Sequence, residues 1–152
     1  MIGEKKKKLI FAGSDHAGFK AKEELKNYLG GKDFDVTDLG CFSEEPCDYP
    51  DIAREVGEKV YEHAGSFGIL ICGSGVGMSM AANKMKGIRA VLASSEEIAE
   101  LSRRHNDANV VTLGARVMEI GLMKKIVDKF LSTDFEKGEE RHVKRVEKMN
   151  VM

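Results

Sequence analysis

Phe67-Gly-Ile-Leu-Ile-Cys72-Gly-Ser-Gly-Val-Gly77 decides how this chain is read. Its first six residues are apolar or small without alternation, the pattern of a strand covered on both faces of a sheet. The glycines after Cys72 end the strand, and Val76 to Met85 has the apolar content of a helix. A doubly covered strand that turns through glycines into a helix is the repeating unit of a parallel α/β sheet.

The same alternation extends in both directions. Upstream, Leu9 to Gly13 reads as a strand, Ala17 to Leu29 as a helix ended by Gly30-Gly31, and Phe34 to Leu39 as a second strand. Ile52, Val56 and Val60 line one face of a helix that stops near Gly65. Downstream, Ile88 to Ala93 and Asn109 to Leu113 are strands, with a helix from Glu96 to Arg104 between them. Leu122, Ile126 and Phe130 mark another helix, and a polar one closes the chain from about Glu139. The expected fold is a three-layer α/β/α sandwich with a five-stranded parallel Rossmann-like sheet and a C-terminal helix. In such sheets ligands bind beyond the carboxyl ends of the strands, where strand order reverses.

The 152 residues fit one domain, with 1–7 as a flexible, solvated lead-in. Twenty-four basic against 25 acidic residues leave a net charge of -1, so charge points to neither nucleic acid nor a membrane surface. No apolar run approaches the ~20 residues of a membrane helix, and Leu9 to Ala12 is too short for a signal peptide. Cys41, Cys47 and Cys72 form no CxxC pair and leave one over, which suits free thiols in a reducing, cytoplasmic setting.

Several segments at strand ends carry chemistry. Closely spaced glycines from Gly73 to Gly77 let amides converge at a helix N-terminus, which makes an anion site. A dinucleotide does not suit it: Met78 stands where a third glycine is needed, and the next strand ends in Ala93-Ser94 without a carboxylate. A developing oxyanion does suit it, because thiolates are favoured at helix N-termini and Cys72 can serve there as a base on carbon. The plainer alternative is a small buried hydrophobe. Asp15-His16 opens the first helix, with helix capping by Asp15 as its plainer role. His105, at the end of a helix, suits proton transfer to oxygen, although a helix C-terminus favours histidine anyway. Arg141 and Arg145 share a helix face and, with Arg116, are phosphate candidates or simply solvated. No pattern gives a convincing metal site.

Gly13-Ser-Asp-His-Ala-Gly18, Ile71-Cys-Gly-Ser-Gly-Val-Gly77 with Ala81-Ala-Asn-Lys84, Leu101-Ser-Arg-Arg-His-Asn-Asp107, and Arg141-His-x-x-Arg145 together resemble the type B ribose-5-phosphate isomerases. The family also includes allose and galactose 6-phosphate isomerases. The resemblance implies a cofactor-free aldose–ketose isomerase of the pentose phosphate pathway, acting on a small phosphorylated sugar through an enediolate. Its members use either a cysteine or a later glutamate as the base; with Cys72 present and Met78 at the later position, this chain resembles the cysteine type. By the same likeness Ser74 assists proton movement between substrate oxygens, and the amides of Gly73, Gly75, Val76 and Gly77 hold the enediolate. His105, with Asp15 near it, opens the sugar ring. Asn106, Tyr49, His16, Arg116, Arg141 and Arg145 contact sugar and phosphate. A homodimer or dimer of dimers with shared sites is also implied.

Two other readings differ in chemistry. A hexose 6-phosphate substrate is one carbon longer than a pentose. A non-catalytic sensor needs the anion loop but neither the thiol nor His105, and a receiver-like domain needs an aspartate where Cys72 stands.

Overall fold

The computed structural model describes residues 6–152. Most of the lead-in expected at 1–7 lies outside the described residues; Lys6 and Lys7 are exposed and precede the first strand. Five strands, β1 (Lys8–Ser14), β2 (Phe34–Asp38), β3 (Phe67–Cys72), β4 (Ala90–Leu92) and β5 (Val110–Gly114), alternate with α1 (Phe19–Gly30), α2 (Tyr49–Glu62), α3 (Val76–Asn83), α4 (Glu96–Asn106) and α5 (Ile120–Ser132). A last helix, α6 (Glu140–Asn150), packs beside α4. All four strand pairings are parallel, in the order β2-β1-β3-β5-β4.

Side chains alternate across a strand, so the all-buried β3 feeds two cores. Ile69 and Ile71 join Leu25, Leu29, Val111, Ile126 and Phe130 under α1, α4 and α5. Leu70 and Cys72 join Phe11, Val56, Val60, Met78 and Ala82 under α2 and α3. Each fully buried aliphatic side chain contributes about 1.5–3 kcal/mol relative to exposure, which is why β3 tolerates no polar residue.

The chain leaves β1 toward β2 and then crosses to β3 on the other side. Strand order therefore reverses between β1 and β3, and the crevice rule points at Asp15-His16 and Cys72-Gly73. Ser14 is in register with Ile71, and the Asp15 N–H donates to the Ile71 carbonyl at 3.1 Å.

β4 is shorter than its apolar content predicts. The Arg89 N–H is taken by Asn109 Oδ1 at 2.8 Å and the Ala90 N–H by Asn83 Oδ1 at 2.7 Å, so asparagine side chains satisfy backbone that a longer strand would pair. Asn83 also donates to the Ala90 carbonyl at 3.0 Å, and α3 stops there, short of Met85.

Two cysteines depart from expectation. Cys41 and Cys47 are paired as a disulfide, while Cys72 is free. The residues between them fold back so that their Cα atoms lie 6.8 Å apart, a reversal that an odd count and the lack of CxxC do not reveal.

A buried ion pair anchors this segment. Lys22 of α1, 1% exposed, donates to Asp38 Oδ1 at 2.8 Å and to the Cys41 carbonyl, while Lys26 donates to Asp38 Oδ2 at 2.7 Å. Burial pushes the Asp38 carboxyl up, but the Lys22, Lys26 and Gly40 hydrogen bonds outweigh it and hold the group below the usual carboxylate range. Asp38→Asn strands the Lys22 charge and should cost about 3 kcal/mol at neutral pH. A depressed folded-state value makes this contribution full above the unfolded value of about 4 and lost as pH falls through the folded one. Urea unfolding at several pH values should show the two proteins converging in acid; a gap that stays constant would contradict the assignment.

Candidate active site

The expected site residues fall into two groups, one at each end of the sheet. The first lies at the switch point. Cys72 closes β3, and its sulfur accepts the Gly75 N–H at 3.2 Å. Gly75 sits at φ 81°, a left-handed conformation that starts α3, and a Cβ there would lie 2.6 Å from Leu92 Cδ1. The Ser74 hydroxyl accepts the Val76 N–H at 3.2 Å on the exposed side of the loop. Around the sulfur the chain thus presents the first amides of a helix, which have no partner within the helix itself.

Neighbouring strands supply the rest of this group. Asp15, 8% exposed, accepts the Gly18 N–H at 3.1 Å through Oδ1 and so closes the turn before α1; the helix itself is capped by Gly18 without a side-chain hydrogen bond, so Asp15 is not its cap. His16 follows, with Nδ1 facing the Cys47 N–H at 3.4 Å. Tyr49, at the start of α2, lays its ring so close to Gly77 that a Cβ there would meet Tyr49 Cζ at 2.7 Å. Arg116, after β5, donates its N–H to the Gly73 carbonyl at 2.9 Å and is exposed, without an ion pair among the described residues. Its side chain runs over Gly73, whose Cβ position is 3.4 Å from Arg116 Nη1. The cluster therefore combines a thiol, an amide loop, a carboxylate, an imidazole and an open guanidinium.

The second group lies at the opposite edge. A crossover helix runs antiparallel to its strands, so α4 ends where β3 and β5 begin. Arg103 fixes that end: it is 6% exposed, stacks 4.8 Å over the Phe67 ring, and donates to the Ala108 and Thr133 carbonyls at 2.5 and 3.1 Å. His105 and Asn106 follow it, and five residues of β3 at ~3.3 Å each separate this edge from Cys72. Asp107, at φ 49°, ends α4 and pairs with Arg103 at 3.0 Å and Arg89 at 3.3 Å. The resemblance put Asp15 near His105; within one chain they stand at opposite ends of the sheet.

His105 stacks on His142 of α6, ring centroids 4.4 Å apart and planes within 18°. Arg141 and Arg145 occupy the outer face of α6; Arg141 reaches Glu139 at 3.5 Å, and Arg145 has no ion pair among the described residues. Glu136 lies between the rings and Arg104, with its Oε1 2.6 Å from Arg104 Nε. Hydrogen bonding from Arg104 holds the Glu136 carboxyl below its ordinary range. Glu136 has no place in the sequence reading and His142 enters it only within the Arg141-His-x-x-Arg145 run, with no role of its own, because neither belongs to a ligand spacing; they meet His105 through the packing of α6 on α4. No patterning of one segment reveals this.

Two clefts of the single chain also avoid Cys72. One of about 840 Å³ lies at the Arg103–Asp107 edge, and one of about 650 Å³ runs beside β4, lined by Leu92, Asn106, Met149 and Met152. Among the described residues no helix is long and apolar enough to cross a membrane.

The pattern described as Ribose/Galactose Isomerase matches residues 10–149. The chain belongs to this family. It is an isomerase, with the parallel α/β fold of its relatives. The chain is 48% identical over 141 residues to ribose-5-phosphate isomerase B of Escherichia coli, covering 93% of each protein. A ribose 5-phosphate isomerase from Thermotoga maritima superposes with a TM-score of 0.90 at 46% identity, over 95% of this chain and 98% of that one. The type B enzyme of Trypanosoma brucei gives 0.91 at 41% identity, over 95% and 98%. The switch-point group and the α4–α6 group of this isomerase both fall within the matched span.

Proposed function

We propose that this isomerase interconverts D-ribose 5-phosphate and D-ribulose 5-phosphate, with Cys72 as the base on carbon. The observation that carries the reading is the Cys72 sulfur accepting a helix N-terminal amide at 3.2 Å, since a donor aimed there supports negative charge on sulfur and on an oxygen beside it.

Side-chain acid–base chemistry accounts for every proton. Ring opening takes a proton from the anomeric hydroxyl and gives one to the ring oxygen; His105, assisted by Asp15, performs it. Cys72 then removes the C2 proton, and the electron pair forms the C1=C2 enediolate as the aldehyde oxygen becomes negative. Amides of Gly73, Gly75, Val76 and Gly77 hold that oxygen, and Ser74 moves a proton between O1 and O2. Return of the proton from Cys72 to C1 gives the ketose. His16, Arg116, Arg141 and Arg145 bind the phosphate, with Asn106 and Tyr49 against the sugar; phosphate binding energy holds C2 over the base.

That Cys72 and His105 lie at opposite edges of one chain supports a site built by a pair of chains. The α4–α6 group of one copy meets the switch-point group of the other. Exposed Val76, Met80, Leu92, Met149 and Met152 on and around the short edge strand β4 supply apolar surface for that pairing.

Deuterium oxide tests the reading. The enzyme should exchange the C2 hydrogen of ribose 5-phosphate, which a sensor does not. Ribulose 5-phosphate has its C5 oxygen esterified and stays open-chain, so it bypasses ring opening. His105→Asn should therefore slow ribose 5-phosphate turnover by about 10²–10⁴-fold while continuing to wash deuterium into C1 of the ketose. Equal loss of both reactions would remove His105 from ring opening.

A further inference from the structure

We propose that His105, Glu136 and His142 form a site for one divalent transition-metal ion of the zinc type, and that filling it withdraws His105 from catalysis. The inhibition rests on the proposed role of His105; the binding does not.

One ligand atom from each residue lies within 4.8 Å of the others, the three coming from the end of α4, the connection between α5 and α6, and the first turn of α6. His105 Nε2 is 4.0 Å from Glu136 Oε1, and His142 Nε2 is 3.8 Å from Glu136 Oε2. Ligands on a tetrahedral zinc ion with bonds of ~2.0–2.1 Å sit about 3.3 Å apart, so small side-chain rotations close the set. Two imidazoles and one carboxylate are the donor set of zinc sites that keep an open position.

The near-parallel stack turns both Nε2 edges toward the same carboxylate. His142 is 6% exposed and held by the packing of α6, which fixes one ligand in advance. In the single chain the His105 and Glu136 side chains are 36% and 32% exposed, which leaves a path for the ion and a water ligand there. Arg104 opposes the site, since its guanidinium holds Glu136 Oε1. Oε2, the oxygen nearer His142, carries none of those hydrogen bonds. The adjacent positive charge makes this a reversible site rather than a structural one. An imidazole lone pair given to a metal cannot exchange protons with a sugar, so occupancy stops ring opening.

Cobalt(II) is the probe, used with Cys72→Ala protein so that the thiol does not compete. One ion per chain should bind, with visible ligand-field absorption that zinc removes. Glu136→Gln and His142→Gln should each weaken binding by about tenfold or more, since even ligand-supporting residues cost 10–100-fold. In the unaltered enzyme zinc should inhibit ribose 5-phosphate turnover reversibly, and Glu136→Gln should raise the zinc needed by a similar factor. Should buried His142→Gln fail to fold, the more exposed Glu136→Gln decides alone. Absent binding, or binding that neither substitution alters, overturns the site. Binding that both substitutions weaken, without inhibition in the unaltered enzyme, keeps the site but overturns the withdrawal of His105; that residue's role in ring opening is read separately, from the His105→Asn comparison of aldose and ketose.

Discussion

Cys72→Ala should lower ribose 5-phosphate turnover by about 10⁴-fold or more, the upper range for removing an acid–base group. It should also abolish hydrogen exchange on both the aldose and the ketose. No other side chain in the switch-point group is a thiol, and Asp15 is committed through Oδ1 to the Gly18 N–H. Folding should change little. Cys72 is packed among Phe11, Leu70 and Met78, and losing one sulfur atom from such a core costs about 1 kcal/mol. Cys72→Ser keeps the shape but replaces the thiol with a hydroxyl, which is far harder to ionise, so it should fail equally. Rates and circular dichroism on both variants separate chemistry from folding. A variant with near-full turnover would remove Cys72 from the reaction.

Much of the fold was legible because β3 and β5 are buried on both faces, and unbroken runs such as Phe67 to Cys72 have few alternatives. The errors lie where side chains replace backbone partners: Asn83 and Asn109 trim β4 and α3, an effect no periodicity records. The loop from Cys41 to Cys47 was opaque for a related reason, since its path depends on the distant Lys22 ammonium and Ser14 carbonyl.

The candidate site was legible as residues but not as a place. Cys72 with its glycine loop reads directly, because the strand, turn and helix are contiguous. His105 reads as chemistry only. That α4 must end at the edge opposite Cys72 follows from parallel topology, but the motifs by themselves do not say which residues one chain brings together. Glu136 and His142 join His105 through packing between helices, which a single sequence does not display.

The proposed division of the site between two chains has a large and unusual consequence. Cys72→Ala and His105→Asn should each be nearly inactive alone. When the two are unfolded together and refolded, half the dimers are hybrids. In a hybrid, one site carries both defects and the other carries neither. Random pairing of a two-fold dimer then restores about a quarter of wild-type activity.

The catalytic rate of that refolded mixture, set against each variant refolded by itself, probes the pairing of Cys72 from one copy with His105 from another. Recovery to about one quarter is the predicted outcome for a two-fold pair. A mixture no more active than its two components would mean that both residues serve the same chain, and the shared site would be wrong.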